Sequence, residues 1–165
     1  MEDSTKVVAL GFLVALERRE IWLAEKKTGI GSGKLNGYGG GCKESESIED
    51  CMIREFREES GAETTKEHIT RVGSITFKKG DGINEPSIIC KCNIFFITNF
   101  SGQIYETEEM DIPTPFSFDG IPFNRMMPSD KLWLPQVLIE GKIVYGSITF
   151  DMTMKNVIEN NLQFR

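Results

Sequence analysis

The chain has 165 residues, with 19 Lys or Arg against 25 Asp or Glu, so its formal net charge is −6. This length and an apolar fraction of 39% are typical of one globular domain and exclude a disordered chain or a small disulfide scaffold. The negative charge and the lack of an Arg or Lys stripe argue against a nucleic-acid partner. The start Met1–Lys6 is polar and no apolar run approaches roughly 20 residues, so neither secretion nor membrane insertion is expected.

The four cysteines favour a reducing, cytoplasmic setting. Cys42, Cys51, Cys90 and Cys92 do not have the paired spacing of a zinc site. We interpret Cys42 as a small buried residue whose thiol could be oxidised.

The first third of the chain predicts a hairpin followed by a long loop. Val7–Leu16 is continuously apolar and β-branched, as in a buried strand, and Glu20–Glu25 follows after a charged turn. Residues 26–41 then contain seven glycines among sixteen residues. Long loops inside compact domains are usually functional, so we expect this one to bind a ligand.

The pattern changes to helical periodicity over Ser47–Ser60. Ser47 is the expected N-cap, with Asp50 three residues later, and Gly61 stands where a left-handed C-terminal residue is needed. Glu55, Glu58 and Glu59 share one face of this helix because their spacings are three and four residues. A solvated acidic face balanced by arginines is one interpretation. The glycines just before the helix favour the other, a site for a hard cation.

The remaining elements complete a mixed sheet. Further strands are predicted at Ile69–Phe77, Ser87–Thr98, Thr114–Phe118 and Lys142–Phe150. A second helix is predicted over Ser129–Glu140, interrupted by Pro135, while Met152–Phe164 fits either a strand or a helix. We find no linker or repeat and therefore predict one domain over residues 1–165.

The segment from residue 40 to residue 62 resembles the Nudix box. Gly40, Glu46, Arg54, Glu55, Phe56, Glu58, Glu59, Gly61 and Ala62 occupy the motif positions, with Phe56 and Ala62 where an aliphatic residue is usual. The stretches Leu35–Gly40, Ile121–Phe123 and Met127–Asp130 are similar to the oxidised-purine nucleoside triphosphatases of this family. The resemblance implies an α+β Nudix fold, an α/β/α sandwich around a mixed sheet. It also implies magnesium-dependent hydrolysis of a nucleoside triphosphate to monophosphate and pyrophosphate.

The resemblance also assigns roles to residues. It places Mg²⁺, with Mn²⁺ as the substitute, on the Gly39 carbonyl and on the carboxylates of Glu55, Glu58, Glu59 and Glu109. Arg54 would orient these glutamates, and Glu58 or Glu59 would be the general base. For Glu109 an exposed acidic loop is the competing interpretation.

Substrate-binding residues follow from the same resemblance. They are Lys26, Asn36, Tyr38, Gly39, Gly40, Gly41, Met127, Ser129, Asp130 and Trp133. Met127, Ser129 and Ile30 depart from the family's tryptophan, aspartate and phenylalanine, which changes the stacking surface and removes one of two acidic base-reading groups. Core packing for Trp133, a solvated hairpin end for Lys26 and capping of its own turn for Asn36 are the competing interpretations.

Two other functions share these residues. Hydrolysis of a nucleotide sugar or dinucleoside polyphosphate would use the same box, and a non-catalytic nucleotide sensor would use the same fold. The complete set of glutamates argues against the sensor. We expect a monomer, with a dimer as the alternative, and a small-molecule nucleotide as the partner.

Overall fold

A computed structural model of the chain describes residues 5–165. Residues 1–4, most of the polar N-terminal segment discussed above, lie outside the described residues. The described strands are β1 Val7–Ala15, β2 Glu20–Glu25, β3 Leu35–Asn36, β4 Tyr38–Gly41, β5 Ile69–Lys79, β6 Ser87–Ile97, β7 Thr114–Ser117, β8 Val144–Phe150 and β9 Val157–Phe164. The α-helices of the same range are α1 Ile48–Ser60 and α2 Leu134–Glu140. In this range no helix is long and apolar enough to cross a membrane.

The strands form one mixed sheet in the order β3-β2-β1-β6-β5-β8-β9, while β4 pairs with β1 and β7 pairs with β2. The β1–β6 and β5–β8 pairs are parallel and the other pairs are antiparallel. Strand β1 is therefore central and is buried on both faces, as its continuous apolar sequence predicts.

The side chains of β1 alternate between two cores. Phe12 and Val14 join the core that contains Leu134 and Val137 of α2. Ala9 and Leu13 join the core that contains Met52 and Phe56 of α1. One helix thus covers each face of the sheet, and the predicted α/β/α sandwich is confirmed.

Helix α1 begins and ends where its sequence predicts. The Ser47 hydroxyl accepts a hydrogen bond from the backbone N–H of Asp50 at 3.1 Å. Gly61 has a φ of 80°, in the left-handed region, and its N–H donates to the Arg57 carbonyl. These caps fix the register of the helix and therefore the direction of its glutamates.

Two predictions need correction, and one open alternative is decided. The segment 26–41, predicted as one long loop, contains the short strands β3 and β4, which pair with β2 and β1. Glycine at position 39 allows the close approach of β4 to β1, because a Cβ there would lie 2.1 Å from the Ala9 carbonyl oxygen. The second helix begins at Leu134, after a 3₁₀ turn over Asp130–Leu132, and Pro135 lies in its first turn, where a missing N–H costs nothing. The ambiguous last segment forms β9, which pairs antiparallel with β8.

Candidate active site

The backbone of β4 lies directly against the acidic face of α1. A Cβ atom at position 40 would lie 2.5 Å from the carboxyl carbon of Glu55, so only glycine allows this approach. The backbone N–H of Gly39 donates to Oε1 of Glu59 at 2.7 Å. The structure therefore brings the glycine strand and two of the predicted glutamates together.

Arg54 organises the same face of the helix. Its Nε and Nη2 donate to the two oxygens of Glu46 at 3.0 and 2.6 Å, a bidentate pair. Nη1 donates to Glu55 at 2.9 Å and to Glu58 at 3.1 Å, and Nη2 also donates to the Gly41 carbonyl at 3.0 Å. The guanidinium lowers the pKa of Glu46 to about 2, so this pair is ionised at neutral pH. Arg54 thus links the loop before the helix to Glu55 and Glu58 on the helix face.

Glu46 matches the Nudix box, but the sequence alone did not show that it holds the guanidinium of Arg54. Glu46 and Arg54 are eight residues apart, which exceeds two turns of a helix, and Glu46 lies before the helix begins. Helix geometry alone therefore does not predict their contact. Only the path of the loop brings the two side chains together.

Three carboxylates crowd around the buried end of this face. Glu59 is only 3% exposed, and its pKa is raised to about 9 by burial and by the adjacent Glu109 carboxyl. Burial also raises the pKa of Glu55, although Arg54 opposes the shift, while Glu58 and Glu109 add to it. Neighbouring carboxylates with raised pKa values mark a place where positive charge is needed.

The loop that carries Glu109 is held against α1. The Thr107 hydroxyl donates to the Glu59 carbonyl at 2.9 Å and accepts from the N–H groups of Glu109 and Met110. The backbone N–H of Lys27 donates to the Glu109 carbonyl at 2.9 Å. Glu109 is exposed, as the interpretation of an exposed acidic loop expects, but its loop is anchored and its carboxyl lies beside that of Glu59.

The donor set fits a divalent cation that shares its coordination with substrate. Across residues 5–165 no three His, Cys, Asp or Glu side chains form a ready metal cage by themselves. However, the crowded carboxylates Glu55, Glu59 and Glu109 lie beside the backbone of Gly39 and Gly40. Mg²⁺ retains water and takes substrate phosphates in addition to one or two carboxylates, so a complete protein cage is not required.

A cavity of about 380 Å³ extends from this acidic face into the sheet. Gly39, Gly40 and Glu59 line one part of it, while the predicted base-pocket residues Asn36, Met127, Ser129 and Asp130 line another. Lys26 also lines the cavity, and its Nζ donates to the Ile30 carbonyl at 2.8 Å. The volume is in the range of a small-molecule site.

Asp130 places a buried carboxyl group in the base pocket. It is only 5% exposed, and its Oδ2 has no hydrogen-bond partner within the described residues. Burial raises its pKa to about 7, and the nearby polar groups of the Trp133 side chain and the Met127 backbone, together with the charge of Lys34, offset this only in part. A buried acceptor without a partner is costly, so this oxygen is well suited to a polar group of a ligand.

Three of the predicted substrate contacts lie elsewhere. Trp133 is 1% exposed and packs against Phe12 with ring centroids 5.8 Å apart, so it belongs to the core, as its competing interpretation proposed. Tyr38 packs edge-on against Phe56 at 5.3 Å, because alternation in β4 turns it away from the cavity. The carbonyl of Gly41 accepts a hydrogen bond from Arg54. Among residues 5–165, Gly41 is not one of those that line the cavity.

Asn36 combines both of its interpretations. Its Oδ1 accepts a hydrogen bond from the N–H of Gly37 at 2.8 Å, while the residue also lines the cavity. The self-capping bond fixes the side chain and leaves its amide N–H groups as donors for a ligand.

Cys42 and Cys51 form a disulfide, with Cα atoms 5.3 Å apart. This corrects the interpretation of Cys42 as a small buried residue, since it is half-buried and paired. The bridge joins the residue after β4 to the first half of α1, and so ties the glycine strand to the helix that carries the glutamates. Cys90 and Cys92 are free. No sequence signal identified the pair, because the turn between strand and helix determines their approach.

A family model described as the NUDIX domain matches residues 5–142. The fold and the acidic site define a phosphoanhydride hydrolase, and the chain belongs to the Nudix family. Proteins named oxidized purine nucleoside triphosphate hydrolase are related to it. The one from Mus musculus is 36% identical over 138 residues, 84% of this chain and 83% of its own. The one from Danio rerio is 36% identical over 141 residues, 86% and 85% of the two chains.

The fold is also shared with a solved structure. The crystal structure of the MutT protein from Bacillus halodurans superposes with a TM-score of 0.73, covering 96% of this chain and 97% of the other. The identity is 17%, so this similarity describes the fold alone.

Loss of the disulfide should destabilise the domain. The bridge spans nine residues, and loop-closure entropy gives it about 2–3 kcal/mol in the free energy of unfolding. We expect Cys42→Ser to lower that free energy in urea denaturation by this amount, and a thiol reductant to do the same to the parent. Cys90→Ser is the control and should retain the reductant effect. A parent protein whose unfolding is insensitive to reductant would contradict the disulfide assignment.

Proposed function

We propose that the protein is a magnesium-dependent nucleoside triphosphate pyrophosphohydrolase that acts on oxidised or modified purine nucleotides. The main support for this proposal is that one cavity contains both a wall beside the acidic helix face and a buried carboxyl group suited to a base. One part is lined by Gly39, Gly40 and Glu59, and another contains the unpartnered carboxyl oxygen of Asp130. The names of the two 36% identical relatives support the same class of substrate.

The acidic face beside the cavity has the residues for phosphoanhydride hydrolysis. Glu55, Glu58, Glu59, Glu109 and the Gly39 carbonyl would hold Mg²⁺, with Mn²⁺ as the substitute. The cation supplies charge neutralisation on the phosphate oxygens and lowers the pKa of the attacking water. Glu58 or Glu59 accepts the proton from that water. Arg54 is a positioning residue, because its contacts are to glutamates and to the Gly41 carbonyl.

The buried part has groups that recognise a purine edge. Asp130 and the amide of Asn36 offer an acceptor and donors, and the Ser129 hydroxyl adds a weaker donor and acceptor. Met127 provides a soft, polarizable surface for the ring. The family has two aspartates and a tryptophan at these positions. This pocket keeps one aspartate, Asp130, and has the flexible Met127 where the family has the rigid tryptophan ring.

A free nucleotide is the partner that the cavity fits, and the net charge of −6 does not favour nucleic acid. A monomeric state and a cytoplasmic location remain predictions. Neither affects the chemistry proposed for the site.

The direct test of function is product analysis. The parent should convert an oxidised purine nucleoside triphosphate to monophosphate and pyrophosphate, identified by chromatography. Orthophosphate and a diphosphate should not appear as first products. Faster hydrolysis of a nucleotide sugar or dinucleoside polyphosphate would establish the alternative substrate class. A protein that binds nucleotides without any turnover would establish the sensor.

Catalysis should depend on the charge of the helix face. The double substitution Glu58→Gln, Glu59→Gln keeps the side-chain size but removes two carboxylates, so we expect kcat to fall by roughly a thousandfold. A chelator should abolish the activity of the parent, and added Mg²⁺ should restore it. Asp50→Asn, on the exposed start of the same helix, is the control and should retain the parental rate. Near-parental turnover by the double variant would refute the assignment of these glutamates.

Base preference should change with pH through Asp130. Its pKa of about 7 means that it is mostly protonated below pH 7 and mostly ionised above it. The ionised carboxylate accepts from the two N–H donors of a guanine-type edge, whereas the protonated form also donates to the ring acceptor of an adenine-type edge. The ratio of kcat/KM for guanine-type over adenine-type triphosphates should therefore rise from pH 6 to pH 8, by about tenfold at most per pH unit. Asp130→Asn should make the ratio independent of pH. A ratio that changes equally in the parent and in this variant would exclude Asp130 as its source.

A further inference from the structure

The turn between β8 and β9 is fixed by the carboxylate of Asp151. Its Oδ1 accepts from the Thr153 hydroxyl at 2.7 Å and from the N–H of Lys155 at 3.2 Å. Its Oδ2 accepts from the side-chain amide of Asn156 at 2.8 Å, and its backbone N–H donates to the Asn156 carbonyl at 2.9 Å. These bonds lower the pKa of Asp151 to about 2, so the carboxylate is ionised at neutral pH. One side chain thus determines the conformation of the whole turn.

Met154 lies at the centre of this turn in an unusual conformation. Its φ is 63°, in the left-handed region that side chains with a Cβ atom rarely adopt. Its backbone N–H donates to the Asp151 carbonyl at 3.0 Å. Backbone strain of this kind persists where the surrounding structure requires it, and it is often associated with function.

The side chain of Met154 is part of the wall of the nucleotide cavity. It is partly buried against the core that also contains Phe150, and both residues line the cavity. Met152, two residues earlier in the same turn, is 60% exposed and is not part of that wall. The conformation of the turn therefore directs one methionine to the cavity and leaves the other in solvent.

A second methionine reaches the cavity from a separate segment. Met127 lies before the 3₁₀ turn that carries Asp130, and its Sδ lies 3.4 Å from where a Cβ of Gly31 would be. Two thioethers from distant parts of the chain thus line one cavity. Thioether side chains are flexible and polarizable, and they contact aromatic rings favourably. A flat heteroaromatic ring is the ligand chemistry that suits such a wall.

We propose that Met154 is a specificity-determining residue that contacts the purine ring of the substrate, and that Asp151 positions it. This inference rests on the proposed function, since it concerns the base-binding part of the same cavity. Met154 acts on the base and has no role in proton transfer or in holding the phosphates.

The test uses binding of the reaction product in the absence of metal. Calorimetry with an oxidised purine nucleoside monophosphate, in chelator, measures affinity for the base without hydrolysis. Met154→Ala should raise Kd by about fivefold to tenfold, as expected for loss of one well-placed apolar contact. Met154→Leu, which keeps an apolar side chain of similar size, should stay within about twofold of the parent. Met152→Ala, in the same turn, is the matched control and should bind like the parent.

A positioning role for Asp151 has its own signature. Asp151→Ala should weaken product binding about as much as Met154→Ala, and the double variant should be no weaker than either single variant, because both remove the same contact. In steady-state hydrolysis, both single variants should raise KM while kcat stays within about twofold. Inorganic tripolyphosphate, which has no base, should bind all variants equally.

The outcomes separate this proposal from the proposed function. If the parent neither binds the monophosphate nor hydrolyses the triphosphate, the proposed function is wrong. If the parent does both, unchanged Kd and KM in Met154→Ala overturn the role of Met154. Equal weakening by Met152→Ala also overturns it, because that result would assign the effect to stability of the turn.

Discussion

The close approach of β4 to α1 is the constraint on which the site depends. A Cβ atom at position 39 would lie 2.1 Å from the Ala9 carbonyl oxygen, and one at position 40 would lie 2.5 Å from the Glu55 carboxylate. Glycine at both positions lets the strand pair with β1 and contact the helix at the same time. The hydrogen bond from Arg54 to the Gly41 carbonyl and the Cys42–Cys51 bridge then hold the two elements together. The result is a cluster of carboxylates beside exposed backbone, which only positive charge can stabilise.

The two parts of the cavity obey different physical rules. In the acidic part, the fold buries Glu59 and holds it beside other carboxylates, and both effects raise its pKa. In the base-binding part, apolar and thioether side chains surround a single buried carboxyl group, which suits a flat ring with a few polar edges. Because the cavity joins both parts, a ligand that carries phosphates and a purine can occupy them together. The Nudix family assignment and the two 36% identical relatives agree with this division.

The features that the sequence predicted correctly are those that depend on residues close together in the chain. The caps at Ser47 and Gly61 and the spacing of Glu55 and Glu59 follow from helix geometry, and the structure agrees with each of them. The contacts that the sequence did not reveal depend on the path of the chain between elements. Pairing of Cys42 with Cys51 needs the turn from β4 into α1, and the bidentate pair of Glu46 with Arg54 needs the path of the loop before the helix. Met154 reaches the cavity because its own backbone is left-handed, a conformation that a methionine in the sequence does not predict.

The central claim is that the carboxylates of α1 bind a divalent cation together with the nucleotide. Its most direct test is a calorimetric titration of Mg²⁺ into the protein in the presence of the nucleoside monophosphate, with Glu59→Gln and Asp50→Asn compared with the parent. We expect one Mg²⁺ site in the parent, at least about tenfold weaker binding in Glu59→Gln, and unchanged binding in Asp50→Asn. Equal Mg²⁺ affinity in the parent and in Glu59→Gln would contradict the claim.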